Sequence, residues 1–261
     1  MSAPVVAARG VGKTFGAGPE QTEALRGIDL EIVEGDFVSL IGPSGCGKST
    51  LLRLIGDLVT PTSGSLSVNG KTPGQARLDR DYGIVFQSAT LLDWRNVQRN
   101  VELPLEIMDF PNDDRPIRAR EMLDLVQLAA FADHFPWQLS GGMQQRVAIA
   151  RALAFKPSLL LMDEPFGALD EMTRELMQQE VLRLWGETGT SVVFVTHSIP
   201  EAVFLSTRVV VMSPRPGRVS AEISIDLSRQ RTQGTREDSR YFELITEVRE
   251  ALRRGEPGTG P

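Results

Sequence analysis

Short apolar runs, each bounded by glycine or polar residues, predict the strands of a largely buried sheet. The runs at 159–162 and 192–195 contain no polar residue, as expected of strands that are covered on both faces. Because the runs alternate with stretches of helical periodicity, the pattern predicts an α/β fold with a mostly parallel sheet. The predicted strands are 4–8, 28–33, 37–41, 65–68, 82–86, 159–162, 192–195 and 208–212.

Helical periodicity dominates the middle of the chain, where apolar residues recur every three or four positions on two faces. These residues are Met122, Leu125, Val126 and Ala129 on one face, and Met143, Val147, Ala150 and Ala154 on the other. We interpret residues 88–158 as a helical subdomain inserted into a core formed by 1–87 and 159–225. The early strands of that core are predicted to form an antiparallel β subdomain. Residues 226–261 are predicted to be a charged tail with a helix at 241–253.

Composition narrows the class of protein. The chain has 261 residues, of which 41% are hydrophobic and 24% charged, as in ordinary globular proteins. A net charge of −6 and an aromatic content of 6% disfavour a nucleic-acid partner. No apolar run approaches the roughly 20 residues of a membrane-spanning helix, and residues 1–10 lack the features of a signal peptide. A single cysteine, Cys46, permits no internal disulfide and is typical of a reducing cytosol.

Residues 42–50, Gly-Pro-Ser-Gly-Cys-Gly-Lys-Ser-Thr, match the phosphate-binding pattern G-x-x-x-x-G-K-[ST]. They lie between a predicted strand and an apolar helical stretch, which is the context that the pattern needs. The glycines allow successive backbone N–H groups to surround an anion, and the helix start adds its dipole. A P-loop NTPase (RecA-like) core is therefore predicted, in which Lys48 reaches the β- and γ-phosphates and Ser49 ligates Mg²⁺. The predicted nucleotide contacts are Gly42, Ser44, Gly45, Gly47, Lys48, Ser49 and Thr50.

Two adjacent carboxylates, Asp163 and Glu164, follow the apolar strand 159–162. Burial of unpaired carboxylates is costly, so both should face a metal, a partner or water at the edge of the sheet. Successive side chains of a strand point to opposite faces, so the two should serve different purposes. We predict that Asp163 belongs to the Mg²⁺ shell and that Glu164 acts on a water in line with the γ-phosphate. Without the phosphate loop nearby, such a pair of acids could equally serve only to keep the end of the strand in contact with water.

The segment 139–146, Leu-Ser-Gly-Gly-Met-Gln-Gln-Arg, begins a predicted helix with Ser140 as its N-cap. Gly141 and Gly142 each weaken a helix by up to about 1 kcal/mol relative to alanine. That cost is explained if a phosphate closely approaches the backbone at the helix N-terminus. The alternative is an ordinary capped helix whose glycines serve packing.

This segment resembles the signature motif of the ATPase subunits of ABC transporters, and the resemblance extends from about residue 5 to residue 219. It implies a homodimer that binds ATP and Mg²⁺. In such a dimer the signature of one subunit, here Ser140, Gly141 and Gly142, closes over ATP held by the phosphate loop of the other. Residues 166–170 resemble the D-loop of the dimer interface.

The other motifs of the family occur in family order. Gln87 resembles the Q-loop glutamine, which contacts the nucleotide and Mg²⁺ and faces the membrane partner. His197 resembles the switch histidine at the γ-phosphate, so the resemblance implies catalysis by Glu164, His197 and Lys48. Phe15 resembles the aromatic residue that stacks on adenine; a core phenylalanine is the alternative.

Two further segments, 89–97 and 212–219, resemble the nitrate, sulfonate and taurine importer group, although Asp93 occupies a position where that group usually has proline. The resemblance implies integral membrane permease subunits, indirectly a solute-binding protein, and a peripheral location on the cytoplasmic face of the inner membrane. The implied solute is nitrate-, sulfonate- or taurine-like, or a vitamin or pyrimidine precursor. Trp94 lies where such subunits receive a short helix of the permease, so it is either a docking residue or a core residue of the helical subdomain.

Two other classes of protein use a phosphate loop. A soluble ABC protein of DNA repair or translation is expected to have a long coiled-coil insertion or two ATPase units, and this sequence has no sustained heptads and room for one unit. A small-molecule kinase leaves the signature at 140–142 unexplained. The sequence therefore favours a transport ATPase.

Overall fold

The apolar runs form two sheets in the computed structural model, which describes residues 4–167 and 169–255. In these residues the strands are β1 (Val6–Phe15), β2 (Thr22–Ile32), β3 (Phe37–Ile41), β4 (Ser63–Val68), β5 (Tyr82–Val85), β6 (Leu159–Asp163), β7 (Ser191–Val195), β8 (Arg208–Met212) and β9 (Val219–Ser224). The helices are α1 (Lys48–Ile55), α2 (Pro73–Leu78), α3 (Val97–Ile107), α4 (Asp114–Leu125), α5 (Gly141–Leu153), α6 (Glu171–Thr188), α7 (Ile199–Leu205) and α8 (Ser239–Arg254). Each of the eight predicted strands overlaps an observed one.

The larger sheet has the strand order β5-β6-β7-β3-β8-β9, and its first five strands are parallel. Val195 of β7 pairs with Leu40 of β3 on one side and with Asp163 of β6 on the other. The carboxyl ends of these three strands therefore lie at one edge of the sheet. Ligands of open parallel sheets bind outside this edge, and the phosphate loop, Glu164 and His197 follow these three strands.

The smaller sheet, with the order β2-β1-β4, is antiparallel, which confirms the predicted β subdomain. Strands β1 and β2 are longer than their apolar runs. Register shifts interrupt the pairing of β1 between Ala8 and Val11 and again after it, and such bulges break the alternation that reveals a strand in sequence. Strand β9 was not predicted, because it is a half-exposed edge strand that pairs only with β8.

Helices α3, α4 and α5 pack on one another in the predicted helical region. The helix predicted at 241–253 is α8, and its apolar face is buried against α7, β8 and β9. Helix α8 is therefore packed on the sheet, while 256–261 of the predicted tail lie outside the described residues. In the described part of the chain, no helix has the length and apolar character needed to cross a membrane.

Candidate nucleotide-binding site

The phosphate loop connects β3 to α1, and two of its glycines have a left-handed backbone. Gly45 and Gly47 have positive φ angles of 73° and 103°, and Gly47 is the N-cap of α1. A Cβ on Gly47 would lie 2.5 Å from Leu25 Cδ2 and 3.0 Å from the carbonyl oxygen of Ala24. The loop thus forms a cradle in front of the helix N-terminus, a geometry that favours an anion.

Lys48, the first residue of α1, is only 6% exposed. Its Nζ donates to the carbonyl oxygens of Gly42 at 2.8 Å and Pro43 at 3.2 Å, and lies 3.8 Å from Cys46 Sγ. These three partners carry no negative charge, so they form no ion pair with the ammonium beneath the loop. A Cβ on Gly42 would meet Cys46 Sγ at 2.8 Å, which explains the glycine at that position.

Ser49 and Asp163 come from α1 and from the end of β6, and Ser49 Oγ donates to Asp163 Oδ1 at 2.7 Å. Two oxygen ligands side by side suit Mg²⁺, which usually takes one or two protein oxygens and completes its shell with water and phosphate. No group of three or more His, Cys, Asp or Glu side chains arranged to hold a metal occurs among residues 4–167 and 169–255. The donor set fits a magnesium ion shared with a nucleotide rather than a closed protein cage.

Glu164 and His197 meet beyond the ends of β6 and β7, with Glu164 Oε1 3.1 Å from His197 Nδ1. The backbone N–H of Glu164 donates to the carbonyl oxygen of Val195 at 3.0 Å. Glu164 has a φ of 47°, a left-handed conformation that is uncommon for glutamate and that clusters at functional sites. Glu164 lines the cleft in front of the phosphate loop.

This cleft has a volume of about 400 Å³ and contains most of the predicted nucleotide contacts. Its lining residues are Phe15, Thr22, Ala24, Ser44, Gly45, Gly47, Lys48, Ser49, Thr50, Glu164 and Arg215. Phe15 is 41% exposed at the end of β1, with Lys13 Nζ 4.9 Å from its ring centroid. The core interpretation of Phe15 is therefore wrong, because the ring faces the cleft.

Arg215 is a cleft residue that sequence reasoning missed. Its Nε lies 3.4 Å from the carbonyl oxygen of Gly45, so its guanidinium adds a second positive charge to the cleft. The same loop packs on the phosphate loop through Gly217, where a Cβ would lie 1.9 Å from the carbonyl oxygen of Cys46. The sequence Pro-Arg-Pro-Gly at 214–217 could have indicated Arg215, because it places a cation among turn residues directly after a parallel strand.

The signature residues lie elsewhere on the chain. Ser140 is the N-cap of α5, as predicted, and its Oγ accepts the N–H of Met143 at 3.3 Å. Ser140 and Gly142 line a separate cleft of about 320 Å³. A Cβ on Gly142 would lie 2.6 Å from Thr173 Cγ2, whereas no atom lies within 4 Å of a Cβ on Gly141. Packing within the chain therefore explains Gly142 and leaves Gly141 unexplained.

Gln87 also lies outside the lining of the nucleotide cleft. It is exposed after β5, and its Nε2 would be 3.2 Å from a Cβ on Gly167. In the predicted D-loop, Asp170 caps α6 by accepting the N–H of Thr173 at 3.0 Å. The hydroxyl and N–H of Thr173 lower the pKa of the Asp170 carboxyl. Ala168 lies outside the described residues.

Trp94 is 75% exposed. The interpretation of Trp94 as a core residue of the helical subdomain is therefore wrong. An exposed tryptophan is accessible to a partner protein, and tryptophan is enriched among the residues that anchor protein interfaces.

A glycine cradle, a buried lysine and a serine–aspartate pair at the carboxyl edge of a parallel sheet define a P-loop ATPase. The sequence pattern of the ABC transporter family matches residues 25–167, and the chain belongs to this family. An uncharacterized ABC transporter ATP-binding protein of Methanocaldococcus jannaschii is 46% identical over 236 residues, which are 90% of this chain and 88% of that protein. The taurine import ATP-binding protein TauB of Rhizobium johnstonii is 47% identical over 88% of this chain and 87% of its own length.

Solved structures agree with the sequence relatives. An ATP-binding cassette determined as a dimer in a post-hydrolysis state, bound to ADP and Pi, is 40% identical with a TM-score of 0.75. That match covers 85% of this chain and 100% of the solved chain. A subunit of an ABC transporter complex from Clostridium perfringens, 26% identical, gives a TM-score of 0.78 over 97% of both chains. The chain is an ATPase with the fold of an ABC cassette.

Proposed function

We propose that this chain is the ATP-hydrolysing subunit of an ABC importer and that two copies act as a homodimer. The observation that carries the proposal is the presence of two half-sites on one chain. The nucleotide cleft contains Lys48 and Glu164, and the separate signature cleft contains Ser140 and Gly142. The open space at Gly141 leaves the N-terminus of α5 free to approach a phosphate held by another copy. The dimeric cassette that is 40% identical to this chain supports the arrangement.

In the proposed site, ATP is held by the phosphate loop, and Phe15 provides an aromatic face for adenine. Lys48 balances negative charge on the phosphates, and preorganised charge of this kind contributes much of the catalysis of phosphoryl transfer. Ser49 and Asp163, assisted by Gln87, would hold Mg²⁺, which neutralises the developing phosphate charge when bound.

Glu164 is the proposed catalytic base. Glu164 lines the cleft, its backbone is held by the hydrogen bond from its N–H to Val195, and its carboxylate contacts His197 Nδ1. It accepts a proton from, or orients, the water that attacks the γ-phosphate. The contact with Glu164 engages one ring nitrogen of His197 and leaves the other for a phosphate oxygen.

We propose that the dimer binds integral membrane permease subunits at the cytoplasmic face of the inner membrane. Exposed Trp94 is the proposed docking residue, and Gln87 connects the nucleotide site to the helical region that carries it. A solute-binding protein that delivers the solute to the permease completes the proposed importer. The acidic net charge of the chain disfavours nucleic acid as a partner.

Taurine or a related sulfonate is the proposed solute. TauB proteins of Rhizobium johnstonii and Yersinia pestis, 47% and 46% identical to this chain, support this choice. The solute is selected by the permease and the binding protein rather than by the ATPase. Nitrate and pyrimidine or vitamin precursors are therefore the alternatives to be measured.

The test is purification from membranes followed by reconstitution in vesicles. We expect an integral membrane protein to copurify, and the complex to take up taurine or another sulfonate only with ATP on the side of this subunit. Copurification of nucleic acid without a membrane protein would refute transport. If the complex takes up nitrate or a pyrimidine but no sulfonate, the proposed solute is wrong and the proposed transport function stands.

A further inference from the structure

A line of polar side chains connects the C-terminal segment to the interior of the protein. It starts at Arg236, in the short 3-10 helix Gln233–Glu237, which donates from Nη2 to Gln178 Oε1 of α6. The amide Nε2 of Gln178 donates to Glu201 Oε1 at 3.0 Å. Three elements that are distant in sequence are thus joined by two consecutive hydrogen bonds.

The line continues from Glu201 to the turn that carries His197. Thr196 Oγ1 donates to the second carboxylate oxygen of Glu201. The same hydroxyl accepts the backbone N–H of Ser198 at 3.0 Å. The residues on both sides of His197 are therefore fixed through the Glu201 carboxylate.

The three inner residues of this line are buried, so the loss of any of its hydrogen bonds is costly. Gln178, Thr196 and Glu201 are 3%, 3% and 6% exposed. Burial raises the pKa of the Glu201 carboxyl, and the hydrogen bonds from Thr196 and Gln178 act in the opposite direction. A buried carboxylate that loses a donor is costly. Consecutive hydrogen bonds in a chain, such as Arg236 to Gln178 to Glu201, polarise and strengthen one another. The arrangement therefore depends on every donor, including the one at its outer end.

Arg236 is held firmly at that outer end. Its side chain is 16% exposed, its guanidinium carbon lies 4.0 Å from the Phe204 ring centroid, and Nη1 lies 3.9 Å from Glu175 Oε1. Nearby Arg231 is 7% exposed and donates to the carbonyl oxygens of Val203, Phe204 and Ser206 at the end of α7. The C-terminal segment is thus anchored on α6 and α7, and Arg236 has a defined geometry.

We propose that Arg236 is a positioning residue for His197, which acts through Gln178, Glu201 and the turn at 196–198 to keep the imidazole beside Glu164. This proposal rests on the proposed role of His197 in ATP hydrolysis. It assigns to the C-terminal segment a part in catalysis at a distance, although none of its described residues, 226–255, lines the nucleotide cleft.

The test compares Arg236→Met with Arg240→Met. Both substitutions remove one positive charge from the C-terminal segment, but the ion pairs of Arg240 are with Asp226 and Glu243, two exposed residues outside the line to His197. Steady-state ATPase assays give kcat and KM, and NMR of the imidazole rings gives a direct readout of the turn. The chain has two histidines, so His134, in contact with Phe131, is an internal reference, and His197→Ala assigns the signals.

We expect Arg236→Met to lower kcat about three- to tenfold with little change in the KM for ATP, as for loss of one or two positioning hydrogen bonds. We also expect the His197 signal to shift and the His134 signal to stay. Arg236→Lys, which keeps a donor near Gln178, should restore most of the activity, and Arg240→Met should match the wild type. If Arg236→Met does not fold, Gln178→Met breaks the same line and is judged by the same criteria.

Wild-type kcat in Arg236→Met, an unmoved His197 signal, or an equal loss in Arg240→Met would each overturn the proposal. The control His197→Ala separates this outcome from failure of the proposed function. If His197→Ala is inactive while Arg236→Met is fully active, only the role of Arg236 is refuted. If His197→Ala hydrolyses ATP at the wild-type rate, the proposed role of His197 is refuted. The role of Arg236, which depends on it, is then refuted as well.

Discussion

Glu164 Oε1 lies 3.1 Å from Nδ1 of His197. The two residues follow neighbouring parallel strands, β6 and β7, whose pairing aligns Asp163 with Val195. The contact is thus a consequence of strand order and register. It joins the proposed catalytic base, which lines the nucleotide cleft, to the proposed γ-phosphate sensor.

Replacement of Glu164 by glutamine tests the proposed base. Gln keeps the shape of the side chain but cannot accept a proton, so we expect kcat to fall by at least about 100-fold. The affinity for ATP should stay near the wild-type value, since the phosphate loop is unchanged. Phosphate release and nucleotide binding measure the two quantities, with Glu250→Gln, on the exposed face of α8, as the control. Unaltered ATPase activity in Glu164→Gln would reject this role.

Alanine substitutions at the adjacent residues Gly141 and Gly142 test the proposed dimer site. A Cβ on Gly141 meets nothing, so Gly141→Ala should leave thermal stability unchanged or raise it by up to about 1 kcal/mol. Its ATPase activity should nevertheless fall, because the methyl group obstructs the partner's nucleotide. Gly142→Ala meets Thr173 Cγ2 and should cost about 1–3 kcal/mol of stability. Full activity in Gly141→Ala would argue against a phosphate at this helix N-terminus.

Gly217 tests the contact between its loop and the phosphate loop. A methyl group would lie 1.9 Å from a carbonyl oxygen of the backbone, which cannot move without displacing the cradle. We expect Gly217→Ala to weaken ATP binding and to cost about 1–3 kcal/mol of unfolding free energy. Gly186→Ala in α6, where a Cβ meets no atom within 4 Å, should be neutral or stabilising. Equal behaviour of the two variants in urea unfolding would contradict the close approach.

Tyr82 provides a prediction about pH. Its hydroxyl donates to the carbonyl oxygen of Gly56 at 2.5 Å, and burial raises its pKa to about 12, from an ordinary value of 10.0. The unfolded chain loses this proton first, so the stability due to the protonated hydroxyl is lost as the pH rises from about 10 to about 12. Urea unfolding across this range should show a steeper fall for the wild type than for Tyr82→Phe. Parallel curves would indicate that Tyr82 titrates normally.

Trp94 is tested against another exposed tryptophan. Trp94 and Trp137 are 75% and 65% exposed, and Trp137 stacks on Phe135 with ring centroids 4.6 Å apart. We expect Trp94→Ala to reduce binding to the permease by about tenfold or more, as for an interface anchor, while the ATPase activity of the isolated subunit stays unchanged. Trp137→Ala should bind normally. Similar losses in both variants would show that Trp94 is not the specific docking residue.

The phosphate loop, the Asp163–Glu164 pair and the capped α5 were predictable because each is a local pattern. Backbone requirements such as positive φ at Gly45 and Gly47 select residue types within a few positions, and buried strands reveal themselves by uniform apolarity. Strand β9 and the outer parts of β1 and β2 escaped prediction, since exposed edges and bulges weaken the same signal.

By itself, the sequence determined the class of the fold, the phosphate loop and the residues that follow the buried strands. Only the tertiary structure decided that His197 meets Glu164, that Arg215 and Gly217 lie on the phosphate loop, and that Arg236 connects to the turn at His197. It also decided that Phe15 and Trp94 are exposed. The physical reason is that periodicity and turn chemistry act over a few residues, whereas these contacts depend on strand order and packing between distant segments.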